Sequence, residues 1–149
     1  MLGKLKIKSE LFSSIDMPKI CKSYRREDTL NSLEEGKVTI FVAGTGNPRV
    51  TTDTAAALKA IEISADILLK ATRVDGIYNE DPEKESDAIL YKNISYDEII
   101  RNKLKVMDLS AISLCMENEM PILVFNFTQP GNLKKVITGE EIGTLVIKT

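Results

Sequence analysis

Apolar runs without polar alternation constrain this chain more than any other feature of its sequence. "KVTIFVAG" (Lys37 to Gly44) and "ADILLKAT" (Ala65 to Thr72) are strands of the kind buried on both faces. "PILVFNF" (residues 121–127) and "TLVIK" (residues 144–148) are two further strands. Helical segments separate them. Ser23 to Glu35 is rich in helix formers and stops at Gly36. "TTDTAAALKAIEIS" takes Thr51 or Thr52 as its cap and sets Leu58 and Ile61 on one face. Ser95 and Glu98 form a capping box opening a helix to about Asn102, and Asp108 to Asn118 and "GNLKKVI" are two more helices. Leu5 to Leu11 alternates like a strand, whereas Arg73 to Ala88 is turn-rich, charged and expected to be a long exposed loop. The pattern predicts an α/β fold with a mostly parallel sheet sandwiched by helices. No repeat or linker interrupts the 149 residues, which read as a single domain, 1–149.

Composition narrows the chemistry. Twenty basic residues against 22 acidic ones give a net charge of -2, with none of the basic excess of a nucleic-acid or membrane-surface binder. Histidine is absent, and Cys21 and Cys115 are far apart, which excludes a zinc site and a Cys-His nucleophile and leaves two reduced thiols. Acid-base work would fall to carboxylates, lysines or water, so chemistry needing little proton transfer is favoured. The start, "MLGKLKIKSELF", is neither a signal peptide nor a membrane span, and the expected location is cytoplasmic.

The candidate site lies in "VAGTGNPRVTTDTAAALKA", Val42 to Ala60. Two glycines lead from a strand into a helix, yet the Lys-Ser or Lys-Thr of a P-loop and the third glycine of a dinucleotide loop are both missing. Gly44 and Gly46 fall at the carboxyl end of a strand, where ligands of such sheets bind, and the following helix N-terminus suits an anion. Thr45, Thr51 and Thr52 add hydroxyls, and Asn47 can both donate and accept, as a base or ribose edge requires. The same residues also describe a tight Gly-Asn-Pro turn and a Thr-Thr-Asp helix cap with no ligand. Asp53 tips the balance, because a carboxylate in the first helical turn would face the anion site and orient a metal or a lysine. Lys70 closes an apolar strand at the same edge and Lys105 precedes a helix; either can simply reach solvent. Together, two lysines and an aspartate at a phosphate loop describe phosphoryl transfer, where positioning and charge neutralisation do most of the catalysis.

The linked motifs Gly-Thr-Gly-Asn-Pro, Thr-Thr-Asp, Lys-Ala-Thr-x-Val-Asp-Gly, Lys-Val-Met-Asp and Val-Phe-Asn resemble the bacterial uridylate kinases (UMP kinases) of the amino-acid kinase fold, over essentially the whole chain. The resemblance implies transfer of the ATP γ-phosphoryl group to UMP, with magnesium, in pyrimidine nucleotide biosynthesis. It implies UMP contacts from Thr45, Gly46, Asn47, Pro48, Arg49, Val50, Thr51 and Thr52, and ATP contacts from Thr72, Tyr78 and Asp81. Asp53 would organise the transfer site, with Lys70 and Lys105 as further catalytic candidates. A homo-oligomer, hexameric in the family, is implied as well; nucleic acid and membrane are not expected partners.

Two departures from the family pattern stand out. Arg49-Val50 replaces two aromatic residues, so Arg49 either adds a phosphate contact or turns to solvent. The Lys-x-Ser-Gly-Glu strand and Gly-Gly-Gly-Asn loop of the family's N-terminal lobe do not occur, so the chain is expected to match the C-terminal part only. A non-catalytic nucleotide-binding remnant, or one half of a split kinase, is therefore the alternative to an active enzyme. A kinase of the same fold acting on an amino acid or carbamate fits the Thr-Gly-Asn-Pro and Lys-Val-Met-Asp segments less well.

Overall fold

The structure is a computed structural model that describes residues 2–148 apart from Glu83 and Ser86. The chain comprises two compact units, Met1–Ser64 and Ala65–Thr149. Each has its own sheet.

In the first unit a 3-10 turn, Leu2–Leu5, precedes β1 (Ser9–Ser13), β2 (Lys22–Ser23), α1 (Arg26–Glu34), β3 (Val38–Val42) and α2 (Thr52–Glu62). The strands pair in the order β2-β1-β3, all parallel, with Ser9 opposite Val38 and Ser13 opposite Val42. The expected Leu5–Leu11 strand is thus displaced. Leu2–Leu5 coils, Lys6 turns at a φ of 57°, and pairing starts only where β3 supplies a partner, the Val38 N–H donating to Lys8 O at 2.9 Å. The first helix starts three residues later than expected for a similar reason: Ser23 is spent in β2, opposite Ser13, and the Tyr24 N–H donates to Ser13 O at 2.8 Å.

Aromatic rings hold the core of this unit. Phe12 is fully buried, its ring centroid 6.3 Å from that of Phe41, and Tyr24 meets Phe41 edge-on at 5.8 Å. Burying a phenylalanine of this kind is worth about 2–3 kcal/mol. Beside the rings sits a charge with 8% of its surface exposed, Lys59 of α2. A lone buried ammonium would be costly, but Lys59 Nζ lies 3.3 Å from the Tyr24 ring centroid and 2.9 Å from Glu62 Oε2. The Tyr24 hydroxyl donates to the same Glu62 oxygen at 2.6 Å. Burial pushes the Glu62 pKa up, but the hydrogen bonds from Tyr24 and Lys59 and the Lys59 charge outweigh it, and the net shift is downward. Burial, then the adjacent Glu62, drive the Tyr24 phenol the other way, well above its ordinary value.

A carboxylate with a lowered folded-state pKa contributes stability above its unfolded value, near 4.5, which is lost as pH falls through the folded value. Tyr24→Phe keeps the ring under Lys59 and removes the hydroxyl. Chemical denaturation should show a loss of about 1–2 kcal/mol at neutral pH. The same series, run from pH 6 down to 3, should show a shallower decline with acid than in the wild type.

The second unit contains β4 (Leu68–Thr72), β5 (Asn93–Ser95), α3 (Tyr96–Arg101), α4 (Leu109–Glu117), β6 (Ile122–Asn126), α5 (Asn132–Ile137) and β7 (Thr144–Ile147). Its sheet runs β4-β6-β7-β5, with β4/β6 and β5/β7 parallel and β6/β7 antiparallel. The α/β, mostly parallel character holds, with β7 reversed against β6. The capping box is present: the Glu98 N–H donates to Ser95 Oγ at 3.2 Å, and the Ser95 N–H to Glu98 Oε2 at 3.1 Å. Asp108 caps α4 through the Ala111 N–H at 3.2 Å. Tyr96, Phe125, Ile112, Ile122 and Val146 fill the core, and the Tyr96 hydroxyl donates to Met120 O.

The reversal into β7 demands close backbone approach. Gly143 has a φ of 84°, and a Cβ built there would lie 2.2 Å from Val124 O. Gly143→Ala combines an unfavourable left-handed conformation with a main-chain clash. Urea denaturation should register a loss of about 2–4 kcal/mol.

Candidate functional site

β3 empties at Val42 into a loop built from left-handed residues, Ala43 (φ 63°), Gly44 (φ 57°) and Gly46 (φ 78°). The turn is pinned to the segment after β1: the Ser14 hydroxyl donates to Gly44 O at 2.7 Å, and the Ser14 N–H to Val42 O at 3.3 Å. Gly46 lies against that segment, where a Cβ would come within 3.2 Å of Ser14 O. Thr45 and Asn47 shape the loop themselves. Thr45 Oγ1 accepts from the Asn47 N–H at 3.2 Å, and Asn47 Oδ1 accepts from the Arg49 N–H at 3.0 Å, the local side-chain-to-backbone bonding expected of turn residues.

Of the two capping candidates Thr51 takes the role. Its backbone is extended, and its Oγ1 accepts from the Thr54 N–H at 3.1 Å, so Thr52 is the first residue of α2. Asp53 follows in the first turn, half-buried, where the helix dipole favours a carboxylate. Gly46, Asn47, Pro48, Arg49, Thr51 and Thr52 are exposed, while Thr45 and Val50 are half-buried. The result is an open, polar backbone loop at the carboxyl end of a parallel strand, ahead of a helix N-terminus, a geometry suited to an anion.

The second unit holds a cleft of 490 Å³ whose walls include Thr72, Tyr78, Asp81 and Lys105, four of the residues singled out by sequence. That volume lies in the range of small-ligand pockets. Thr72 ends β4, its hydroxyl donating to Val74 O at 2.7 Å and accepting from the Val74 N–H at 3.3 Å. Tyr78 is half-buried; burial first, then the Asp75 charge, raise its pKa, so the phenol remains a donor. Asp81 lies 3.3 Å from Lys84 Nζ, and its main-chain oxygen accepts from the Lys84 N–H at 3.0 Å. Lys84, Lys103 and Lys105 supply positive charge along the walls, against Glu80 and Asp81.

Lys70 is placed differently from its companions. It occupies the centre of β4 rather than its end, opposite Val124, half-buried, and it is not among the cleft residues. Asn102 and Lys103, at the end of α3, belong to the cleft and were not singled out; the only signal for them is the charged stop of a short helix. Among the described residues no group of three Asp, Glu, Cys or His stands together as a metal cage.

The first unit thus offers an open loop whose geometry suits an anion, and the second a cleft of small-ligand size with three lysines on its walls. The sequence profile of the Amino acid kinase family matches residues 1–126, and the chain belongs to that family. It is 50% identical over 145 residues to the uridylate kinase of Aeromonas salmonicida, covering 97% of this chain and 59% of the relative. The uridylate kinase of Phocaeicola vulgatus is also 50% identical, with 61% of its length covered. Among solved structures, the UMP kinase of Bacillus anthracis superposes with a TM-score of 0.94 at 33% identity, over 97% of this chain and 60% of that one. The UMP kinase of Ureaplasma parvum gives 0.94 at 35% identity, over 99% and 63%. The chain therefore spans about three fifths of the length of the relatives it matches.

Gly46→Ala tests the loop directly. The added methyl must enter a left-handed position beside Ser14 O, so stability should fall by about 1–2 kcal/mol in urea denaturation. Amide exchange should accelerate in residues 43–50 and stay unchanged in β6.

Proposed function

We infer that this chain carries acceptor and donor nucleotide sites of a uridylate kinase, the enzyme that moves the γ-phosphoryl group of ATP to the phosphate of UMP and yields UDP and ADP. The observation that carries the reading is the single cleft shared by Thr72, Tyr78, Asp81 and Lys105. The names of the relatives, at about 50% identity, point the same way. Thr45 to Thr52 take UMP, with threonine hydroxyls and the N-terminal end of α2 toward its phosphate. Tyr78 packs on adenine, Asp81 accepts from ribose or base, and Lys105 meets the phosphates, where fixed positive charge lowers the barrier to transfer. Magnesium arrives with ATP as part of the substrate, held mainly by phosphate oxygens and water, as its coordination habits favour. Asp53 organises charge at the transfer site, with Lys70 as a further candidate. The natural setting of this reading is a cytoplasmic homo-oligomer in pyrimidine nucleotide synthesis.

One observation supports a second reading. The chain spans about three fifths of its relatives, which also fits a nucleotide-binding half that acts with a second polypeptide, or a remnant without turnover. UDP formation from ATP, magnesium and UMP separates the two readings. Turnover that falls at least about a hundredfold in Asp53→Asn, with both nucleotides still bound, supports the enzyme. Nucleotide binding without UDP supports the half-site, and binding of neither nucleotide defeats both. Tyr78→Ala should weaken ATP by about tenfold and leave UMP nearly unchanged, as loss of one stacked ring predicts.

A further inference from the structure

Asn126 ends β6 as the last residue of the Val-Phe-Asn motif, and no role in the sites above falls to it. It is 8% exposed, and its amide is engaged on both sides. Oδ1 accepts from the Thr128 N–H at 2.9 Å and from the Thr128 hydroxyl at 2.6 Å. Nδ2 donates to Asp75 Oδ1 at 2.9 Å. Because Thr128 offers a main-chain N–H, Oδ1 is fixed as the acceptor, and the nitrogen must face Asp75. The Asn126 carbonyl in turn accepts from Asn132 Nδ2 at 2.9 Å, which ties the start of α5 to the same point.

Asp75 sits in the segment that runs from Thr72 to Tyr78, and that segment is one wall of the cleft: Thr72, Val74, Gly76, Ile77 and Tyr78 all line it. The wall is tied at its start by Thr72, directly opposite Asn126 in the β4/β6 ladder. Toward its far end the Ile77 N–H donates to Thr144 Oγ1 at 2.9 Å. Asp75, between these points, is anchored to the sheet by Asn126. A hydrogen bond from a buried amide to a carboxylate is among the stronger kinds and is directional.

We propose that Asn126 and Asp75 are a positioning pair for ATP: their hydrogen bond sets the course of residues 73–78 and so fixes where Tyr78 stands in the cleft. This rests on reading the cleft as the ATP site. Neither side chain need touch the nucleotide.

The amide–carboxylate pairing makes an exchange test possible in the full chain. Asn126→Asp keeps an oxygen for Thr128 but sets a second carboxylate against Asp75. Titration with a fluorescent ATP analogue and magnesium should show affinity falling about tenfold, while UMP affinity stays within about twofold. Adding Asp75→Asn to that variant rebuilds the pair with donor and acceptor exchanged, and ATP affinity should return to within about threefold of wild type. Wild-type ATP affinity in Asn126→Asp, or a folded double variant as weak as the single one, overturns the proposal. Equal weakening of ATP and UMP together with a lowered Tm also overturns it, since that is a merely structural role. Should Asn126→Asp fail to fold, Asp75→Ala at its exposed position serves instead: selective loss of ATP supports the pair, unchanged ATP affinity refutes it. A wild-type chain that binds UMP but no ATP instead refutes the assignment of the cleft, and the positioning role falls with it.

Discussion

Parallel pairing between β4 and β6 sets the geometry of the second unit. The register carries Leu68 opposite Ile122 and ends with Thr72 opposite Asn126. Both strands therefore stop together, and the two loops that leave them start side by side. From that shared end the chain turns through Val74 to Tyr78 on one strand and through Thr128 to Asn132 on the other, each turn stabilised by the last side chain of its strand. A one-residue slip would exchange the faces of β4 and part Thr72 from Asn126. The same pairing explains why polar residues can end apolar strands here at little cost: their hydrogen bonds go to the turns they begin.

The first unit solves a related problem with left-handed backbone held by side chains. Successive left-handed residues at Ala43 and Gly44 turn the chain out of β3, and Ser14 holds the turn from the neighbouring strand's exit. Thr45, Asn47 and Thr51 are then occupied with the loop's own N–H groups. Side chains chosen by sequence as ligand contacts thus shape the main chain, and the N–H groups of Asn47, Arg49 and Thr54 are spent on them.

Much of this was legible in the sequence because the governing interactions are local. Caps at Thr51, Ser95 and Asp108 depend on residues three positions away, and the apolar runs of β3, β4, β6 and β7 announce themselves by composition. What escaped was set by distant partners. Lys22–Ser23 has no strand pattern of its own and becomes β2 because Phe12 and Ser13 pair with it; Asn93–Ser95 becomes β5 through Leu145 to Ile147. Neither the C-terminal shift of β1 nor the reversal of β7 leaves a periodic trace. For the candidate site, the loop and four cleft residues could be read in advance, whereas the tie between Asp75 and Asn126 spans 51 positions and involves two residue types common in any turn. Resemblance to a family supplied the motif; only the fold supplied the bond.

Lys59 carries a consequence for chemical labelling. Its ammonium is enclosed by the Tyr24 ring and the Glu62 carboxylate at the far end of the helix whose first turn holds Asp53. Lysines along the cleft and on the surface meet acylating reagents freely, but Lys59 must first leave both partners and pass into solvent. In a footprinting series its modification would follow the opening of the first unit rather than direct masking by a nucleotide. One buried amine thus gives this chain an internal clock for unfolding, readable beside the lysines that report on ligands.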